Sequence, residues 1–343
     1  MPCGRSRVGL DSSAMLNRIL RFYSRYLVLW VLLAAAAAYV WPEQFTAVEA
    51  ATSRLFASSI ERLLPAALRL QGGMNWFFAL TMFGIGAVLT VEDFRRIARK
   101  PLIVLIGSAA QFTIMPLGAF ILARAFRLPP EIAVGLVLTG SAPGAMASNV
   151  MSYVAGADTA YSVSLTTVST LLCPLLTPGL TLALAGARLE VSFWVMAFGL
   201  VKMVIIPLLA GFLLRHYFTA AVQRILPVFP AISVTFIIFI CSLVIALNHD
   251  YLGRVTALVF AAVLLLNLYG MAGGYGVGLL FGLSEKRRRT LTIEIGMQNA
   301  GLGTILALKY IGEKAAMPAA VFVFLCIITA SGLAALWQRP HRQ

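Results

Sequence analysis

Ten membrane-crossing helices in an all-α polytopic membrane protein are the architecture this chain of 343 residues points to. Three observations carry that expectation. Charged residues make up 12% of the sequence, against about 25% in a soluble domain. Apolar residues make up 60% and the mean hydropathy is +0.89, with apolar runs along almost the whole length. The basic residues behind the formal charge of +14 fall in short clusters between those runs, as in a topology signal, and form no continuous patch of the kind that binds nucleic acid. Membrane lipid is the expected partner, and nucleic acid is not.

Each crossing needs about 20 apolar residues. In order, the segments run over 26–42, 73–90, 101–124, 130–155, 158–186, 191–214, 228–247, 254–282, 290–310 and 315–337. Residues 1–25 and 338–343 are the tails, and residues 1–14 are expected to be dispensable, with Met15 as the start. Arginines followed by an apolar stretch ending in alanines also describe a signal peptide, whose removal would leave nine crossings; a retained first helix is expected. Between the first two segments, 43–72 mixes Glu43, Glu49 and Glu61 with three arginines and apolar residues, the pattern of an external interfacial helix and loop. Cys3, Cys173, Cys241 and Cys326 have no metal or redox spacing, and are expected to be small hydrophobes.

The basic clusters orient the chain. With the N-terminus inside, 17 Lys and Arg lie on the cytoplasmic side, in the clusters at 5–25, 95–100, 215–224, 286–289 and 339–342. Nine lie outside and Lys202 lies within the sixth segment. Both termini are thus expected in the cytoplasm. A prokaryotic inner (plasma) membrane is the expected location, because residues 1–25 make a weak transit peptide.

Function is written in the polar residues at membrane depth. Of thirteen acidic residues, twelve lie in tails, loops or at segment ends, and Glu294 alone sits within a segment, where a carboxylate costs about 2.5–3.5 kcal/mol to insert at mid-helix. Its surroundings read Glu294-Ile295-Gly296-Met297-Gln298-Asn299-Ala300-Gly301-Leu302-Gly303. Three glycines, each worth about 1 kcal/mol against helix, predict an unwound stretch, which persists at depth only where it lines a cavity. The fourth segment carries a matching interruption at Pro143-Gly144-Ala145-Met146-Ala147-Ser148-Asn149, where proline frees backbone carbonyls. In the fifth, Thr159, Ser162, Thr166 and Ser169 recur at helical spacing and make one hydroxyl stripe. Gln111 adds an amide in the third. Hydroxyl, amide and carboxylate oxygens are hard ligands of the kind sodium prefers. Two broken segments, in corresponding positions of the halves 26–186 and 191–337, point to a transporter site between repeats.

The stretches PGAMASNVMSYVAGADTAYSVSLTTVSTLL at 143–172 and EIGMQNAGLG at 294–303 resemble the bile acid:sodium symporter family, and the resemblance extends over roughly 73–337. It implies two inverted five-helix repeats with broken, crossing helices 4 and 9. It also implies a core domain of spans 3–5 and 8–10 and a panel of spans 1, 2, 6 and 7. By similarity a first sodium ion takes Ser148, Asn149, Ser162, Thr166 and Glu294. A second takes Gln111, Glu294, Gln298 and the backbone carbonyls of Ile295 and Met297. The substrate, a small organic anion such as a bile-acid-like steroid, a keto acid or pantoate, is placed against Asn299 and the half-helix beginning near Ala147. Close relatives often carry threonine where this chain has Met146, which removes a hydroxyl and adds bulk beside the substrate. Lys202 is either a snorkelling side chain or a cavity-facing charge that attracts the anion.

Symport driven by the sodium gradient is the expected activity, with sodium as the coupling ion and no organic cofactor. No phosphate-binding loop is present. A proton-coupled carrier would not need the neutral oxygens, and a receptor of the same fold would keep them all. An enzyme is not expected, since His216, His249 and His341 lie at segment ends or in the tail and share no site with a nucleophile.

Overall fold

The computed structural model describes residues 26–59, 65, 69–70, 72–186, 191–226 and 228–338. Among these the chain is all-helical. The expected tails and most of the loop at 60–71 lie outside the described residues, as do Arg188 and its neighbours.

Helices α1 (Leu27–Val40) and α2 (Pro42–Ser59) meet at 105°, so the expected external helix turns off the first crossing at Pro42. Helix α3 (Gly73–Val88) is followed by α4 (Val91–Arg99) at 73°. A capping box makes that corner: the Thr90 amide donates to Asp93 Oδ2 at 2.9 Å, and the Asp93 amide donates to Thr90 Oγ1 at 3.3 Å. Two orphan donors of the helix start are met reciprocally. In the sequence, α4 shows only as a charge cluster.

The chain continues through α5 (Pro101–Ala125), the short pair α6 (Pro130–Gly140) and α7 (Ala147–Val154), and α8 (Thr159–Ala185). Next come α9 (Phe193–Tyr217), which contains a π-helical turn over Val201–Ile205, and α10 (Thr219–Ile225). Helices α11 (Val228–Leu247) and α12 (Leu252–Leu280) lead to a second short pair, α13 (Glu285–Gly296) and α14 (Ala300–Tyr310). Helix α15 (Met317–Gln338) ends the described chain.

Among the described residues six helices are long and apolar enough to cross a bilayer singly, or up to eight if each bent pair counts as one span. The expected segments 130–155 and 290–310 are absent from that count because each is two short helices. Large apolar side chains such as Leu33, Ile121 and Phe198 are exposed, as suits helices that face lipid. The protein is an integral membrane protein. Cys173, Cys241 and Cys326 are buried and free.

Packing gathers the helices around two seams. Helix α9 lies along α3, and α11 packs on α1, α2 and α3. At the α3–α9 crossing a β-carbon on Gly86 would lie 1.9 Å from the Leu208 carbonyl oxygen, and one on Gly211 2.0 Å from that of Phe83. Only glycine permits backbones this close, the usual basis of helix association in lipid. Helix α12 lies along α13 and α5, with α8 and α15 beside them. Both interrupted segments sit within this second group.

Candidate functional site

The interruptions face each other. Between α6 and α7 the backbone leaves the helix at Ser141–Met146, and between α13 and α14 at Met297–Asn299. The Ala145 amide donates to the Met297 carbonyl oxygen at 2.9 Å, and the Asn299 amide donates to that of Pro143 at 2.7 Å. An antiparallel β-bridge thereby pairs Gly144 with Gln298. Backbone groups released at membrane depth must find partners, and here each break supplies them to the other.

Glu294 lies at this seam, 2% exposed. Its Oε2 accepts from Ser148 Oγ at 2.6 Å and from Ser162 Oγ at 2.7 Å; its Oε1 accepts from Thr166 Oγ1 at 2.5 Å. One carboxylate on α13 is thus held by α7 and α8. A β-carbon on Gly144 would fall 2.5 Å from Oε1, so glycine is needed for the seam to pass the carboxylate.

The oxygens outnumber the protons. Ser148 Oγ is also 2.6 Å from the Ala145 carbonyl oxygen. Thr166 Oγ1 is also 2.9 Å from the Ser162 carbonyl oxygen and 3.3 Å from Asn149 Oδ1. Each hydroxyl has a single proton to donate, yet the three serve six close oxygen contacts. A buried set of oxygen atoms with too few protons and one carboxylate suits a hard monovalent cation. The five residues expected at a first ion are therefore together.

Those expected at a second ion adjoin them. Gln111 Nε2 donates to Gln298 Oε1 at 2.8 Å, and Gln298 Nε2 donates to the Ile295 carbonyl oxygen at 3.1 Å. Gln111 Oε1 is buried and accepts no hydrogen bond among the described residues. The Met297 carbonyl oxygen is occupied by the Ala145 amide.

Sequence reading missed Asn267. Fully buried on α12, it donates from Nδ2 to the Gly296 carbonyl oxygen at 2.7 Å, and its Oδ1 has no partner among the described residues. The signal was a lone asparagine in the run Leu264-Leu265-Leu266-Asn267-Leu268, a polar side chain at depth of the type that marks function.

Residues assigned to substrate are more dispersed. Asn299 caps α14, its Oδ1 accepting from the Leu302 amide at 3.1 Å. Ala147 opens α7, and half-buried Met146 stands before it with Sδ 3.9 Å from Asn149 Nδ2. Lys202 is separate: it sits half-buried in the π-helical turn of α9, and no hydrogen bond joins it to the cluster. Within the hydroxyl stripe, Ser169 Oγ accepts from the Gly144 amide at 3.2 Å, whereas Thr159 stands at the start of α8.

A profile of the Sodium Bile acid symporter family matches residues 76–254, more than half of the chain. The chain belongs to the sodium bile acid symporter family. One relative, the "Uncharacterized sodium-dependent transporter YocS" of Bacillus subtilis, is 34% identical over 329 residues, 96% of each chain. That likeness takes in both broken segments of this family member. The "Probable sodium/metabolite cotransporter BASS1, chloroplastic" of Arabidopsis thaliana is 35% identical over 269 residues, 77% of this chain and 67% of its own length. The human "Sodium/bile acid cotransporter 4" is 30% identical over 247 residues, 69% of this chain and 56% of its own.

Proposed function

We propose that this family member is a sodium-coupled symporter of a small organic anion, working by alternating access. The observation that carries it is Glu294, a buried carboxylate gripped by hydroxyls from α7 and α8 where acceptor oxygens exceed the available protons. The names of its relatives, sodium-dependent transporter and sodium/metabolite cotransporter, support the choice of ion and cargo class.

Two sodium ions are carried. The first binds Ser148, Asn149, Ser162, Thr166 and Glu294. The second binds Glu294, Gln298, Gln111 Oε1 and the carbonyls of Ile295 and Met297, with Asn267 steadying the carbonyl between them. Shared between both ions, Glu294 neutralises part of their charge and links α13 to α7 and α8. The anion lies beside Asn299, Ala147 and Met146, where the starts of α7 and α14 offer backbone donors and positive dipole ends. Met146 in place of a hydroxyl favours a cargo with an apolar face.

The two short pairs each count as one broken crossing, giving ten crossings in two inverted five-helix halves with both termini cytoplasmic. The group α5–α8 with α12–α15 is the moving core, and α1, α3, α9 and α11 form the panel. The glycine crossing of α3 with α9 supports a rigid panel. Sodium binding preorganises the core, which then changes the side it opens to.

Uptake of a panel of labelled organic anions into proteoliposomes, under inward sodium or potassium gradients, tests the proposal. Wild type should accumulate one compound with sodium only, and Glu294→Ala should not. Accumulation that follows a proton gradient and ignores sodium would overturn the ion assignment. Sodium-dependent binding without accumulation would make the protein a receptor.

A further inference from the structure

A polar cavity distinct from the Glu294 cluster lies where α4, α5, α8 and α13 meet. Its volume is about 290 Å3, and Arg96, Arg99, Lys100, Asp158, Tyr161 and Arg287 line it. That is just under the smallest small-molecule clefts, about 300 Å3. The floor is fixed: the Tyr161 hydroxyl donates to the Ile103 carbonyl oxygen at 2.9 Å, tying α8 to α5. The Asp158 amide contacts Thr290 Oγ1 at 3.0 Å, tying the start of α8 to α13.

Its cations are incompletely balanced. Glu92 serves three arginines at once, with Arg95, Arg96 and Arg99 at 3.8, 4.0 and 3.4 Å. Asp93 is 3.7 Å from Arg96, and Asp158 is 3.4 Å from Arg287. The Lys100 backbone bonds within the corner, its amide donating to the Ile97 carbonyl oxygen at 3.2 Å, and its side chain has no hydrogen bond or ion pair among the described residues. Four basic side chains, Arg96, Arg99, Lys100 and Arg287, therefore line the cavity with a single lining carboxylate, Asp158, and even with Glu92 and Asp93 counted beside them the charge stays positive. Such a cavity calls for a phosphate group.

Where the phosphate comes from is told by the first turns of α5. Next to the lining residues Ile103 and Val104, Leu102 and Leu105 are 69% and 58% exposed. Bare leucines beside a basic pocket at a helix start suit an acyl chain under an anionic head group. The topology bias puts this face in the cytoplasmic leaflet, where basic pockets between helices take such head groups. We infer that this corner binds the phosphate head group of an anionic phospholipid, with the chains lying along α5. Helix α4 joins α3 to α5, so the bound lipid would also brace the link between the two helix groups. The inference goes beyond transport and holds whether or not sodium is the coupling ion.

The test reconstitutes the full chain in nanodiscs of phosphatidylcholine, with or without phosphatidylglycerol, and reads the thermal midpoint and the lipid retained in native mass spectrometry. Phosphatidylglycerol should raise the midpoint and remain bound. Lys100→Gln and Arg99→Gln, both at exposed positions, should each weaken it about fivefold, from roughly 1 kcal/mol per basic residue at such a surface. Lys286→Gln, an exposed charge on the same face but outside the cavity, should leave it unchanged. The midpoint of each variant in phosphatidylcholine alone reports folding. Equal retention in the cavity variants, or an equal loss in Lys286→Gln, would overturn the site. Inorganic phosphate that protects the detergent-purified protein as well as the lipid does would overturn the lipid as its occupant.

Discussion

Asn267 donates from Nδ2 to the Gly296 carbonyl oxygen at 2.7 Å, so α12 holds the peptide that separates the two carbonyls proposed for the second ion. Removing a buried hydrogen bond of this kind costs about 1–3 kcal/mol. Asn267→Ala should weaken sodium binding about tenfold while the substrate KM at saturating sodium stays put. A sodium titration of thermal unfolding reads the first, and uptake kinetics the second. An unmoved sodium titration would leave Asn267 a packing residue.

Gly144→Ala puts a β-carbon 2.5 Å from Glu294 Oε1. The carboxylate must turn away from Thr166 or the seam must open, at a cost of about 1–3 kcal/mol. Uptake at low sodium should fall at least about tenfold, in a protein that still elutes as a single species on size exclusion. Uptake equal to wild type would show that the cluster tolerates displacement of its central group.

Thr166→Val keeps the shape and removes the hydroxyl that meets Glu294, Asn149 and the Ser162 carbonyl. A hydrogen bond to a charged group is worth about 1.5–3 kcal/mol, so apparent sodium affinity should drop tenfold or more. Thr166→Ser should stay within about threefold of wild type. If the two variants behave alike, the hydroxyl does not serve the ion.

Lys202→Met tests the remaining cation at depth. The π-helical turn that carries Lys202 is an irregularity frequent at functional sites. The substitution should raise the substrate KM several-fold and leave sodium dependence unchanged. Unchanged uptake would return Lys202 to the role of a side chain reaching for the interface.

What the sequence discloses here is what costs energy in lipid. Glu294, Gln111 and the hydroxyls of α8 stand out because a polar side chain is expensive at depth, and both interruptions stand out because Pro143 and Gly296 break helices. The backbone pairing across the seam was not legible, since amides and carbonyls are the same for nearly every residue type. Asn267 does not stand out in the sequence, because no glycine or proline adjoins it. Helix α4 was hidden by its charges, which read as topology although Thr90 and Asp93 spelled a capping box. The π-helical turn has no side-chain signature at all.

The pairing of Ala145 with Met297 and of Asn299 with Pro143 runs through backbone groups, so at positions 145 and 299, unlike at Gly144, it does not depend on which side chain is present. Nineteen of the twenty residue types carry the same N–H, so drift at positions 145 and 299 can alter what surrounds the ion and cargo while the joint persists. Proline alone lacks that donor. A lineage could therefore change its cargo by altering side chains along this strip without dismantling the frame that couples cargo to ion.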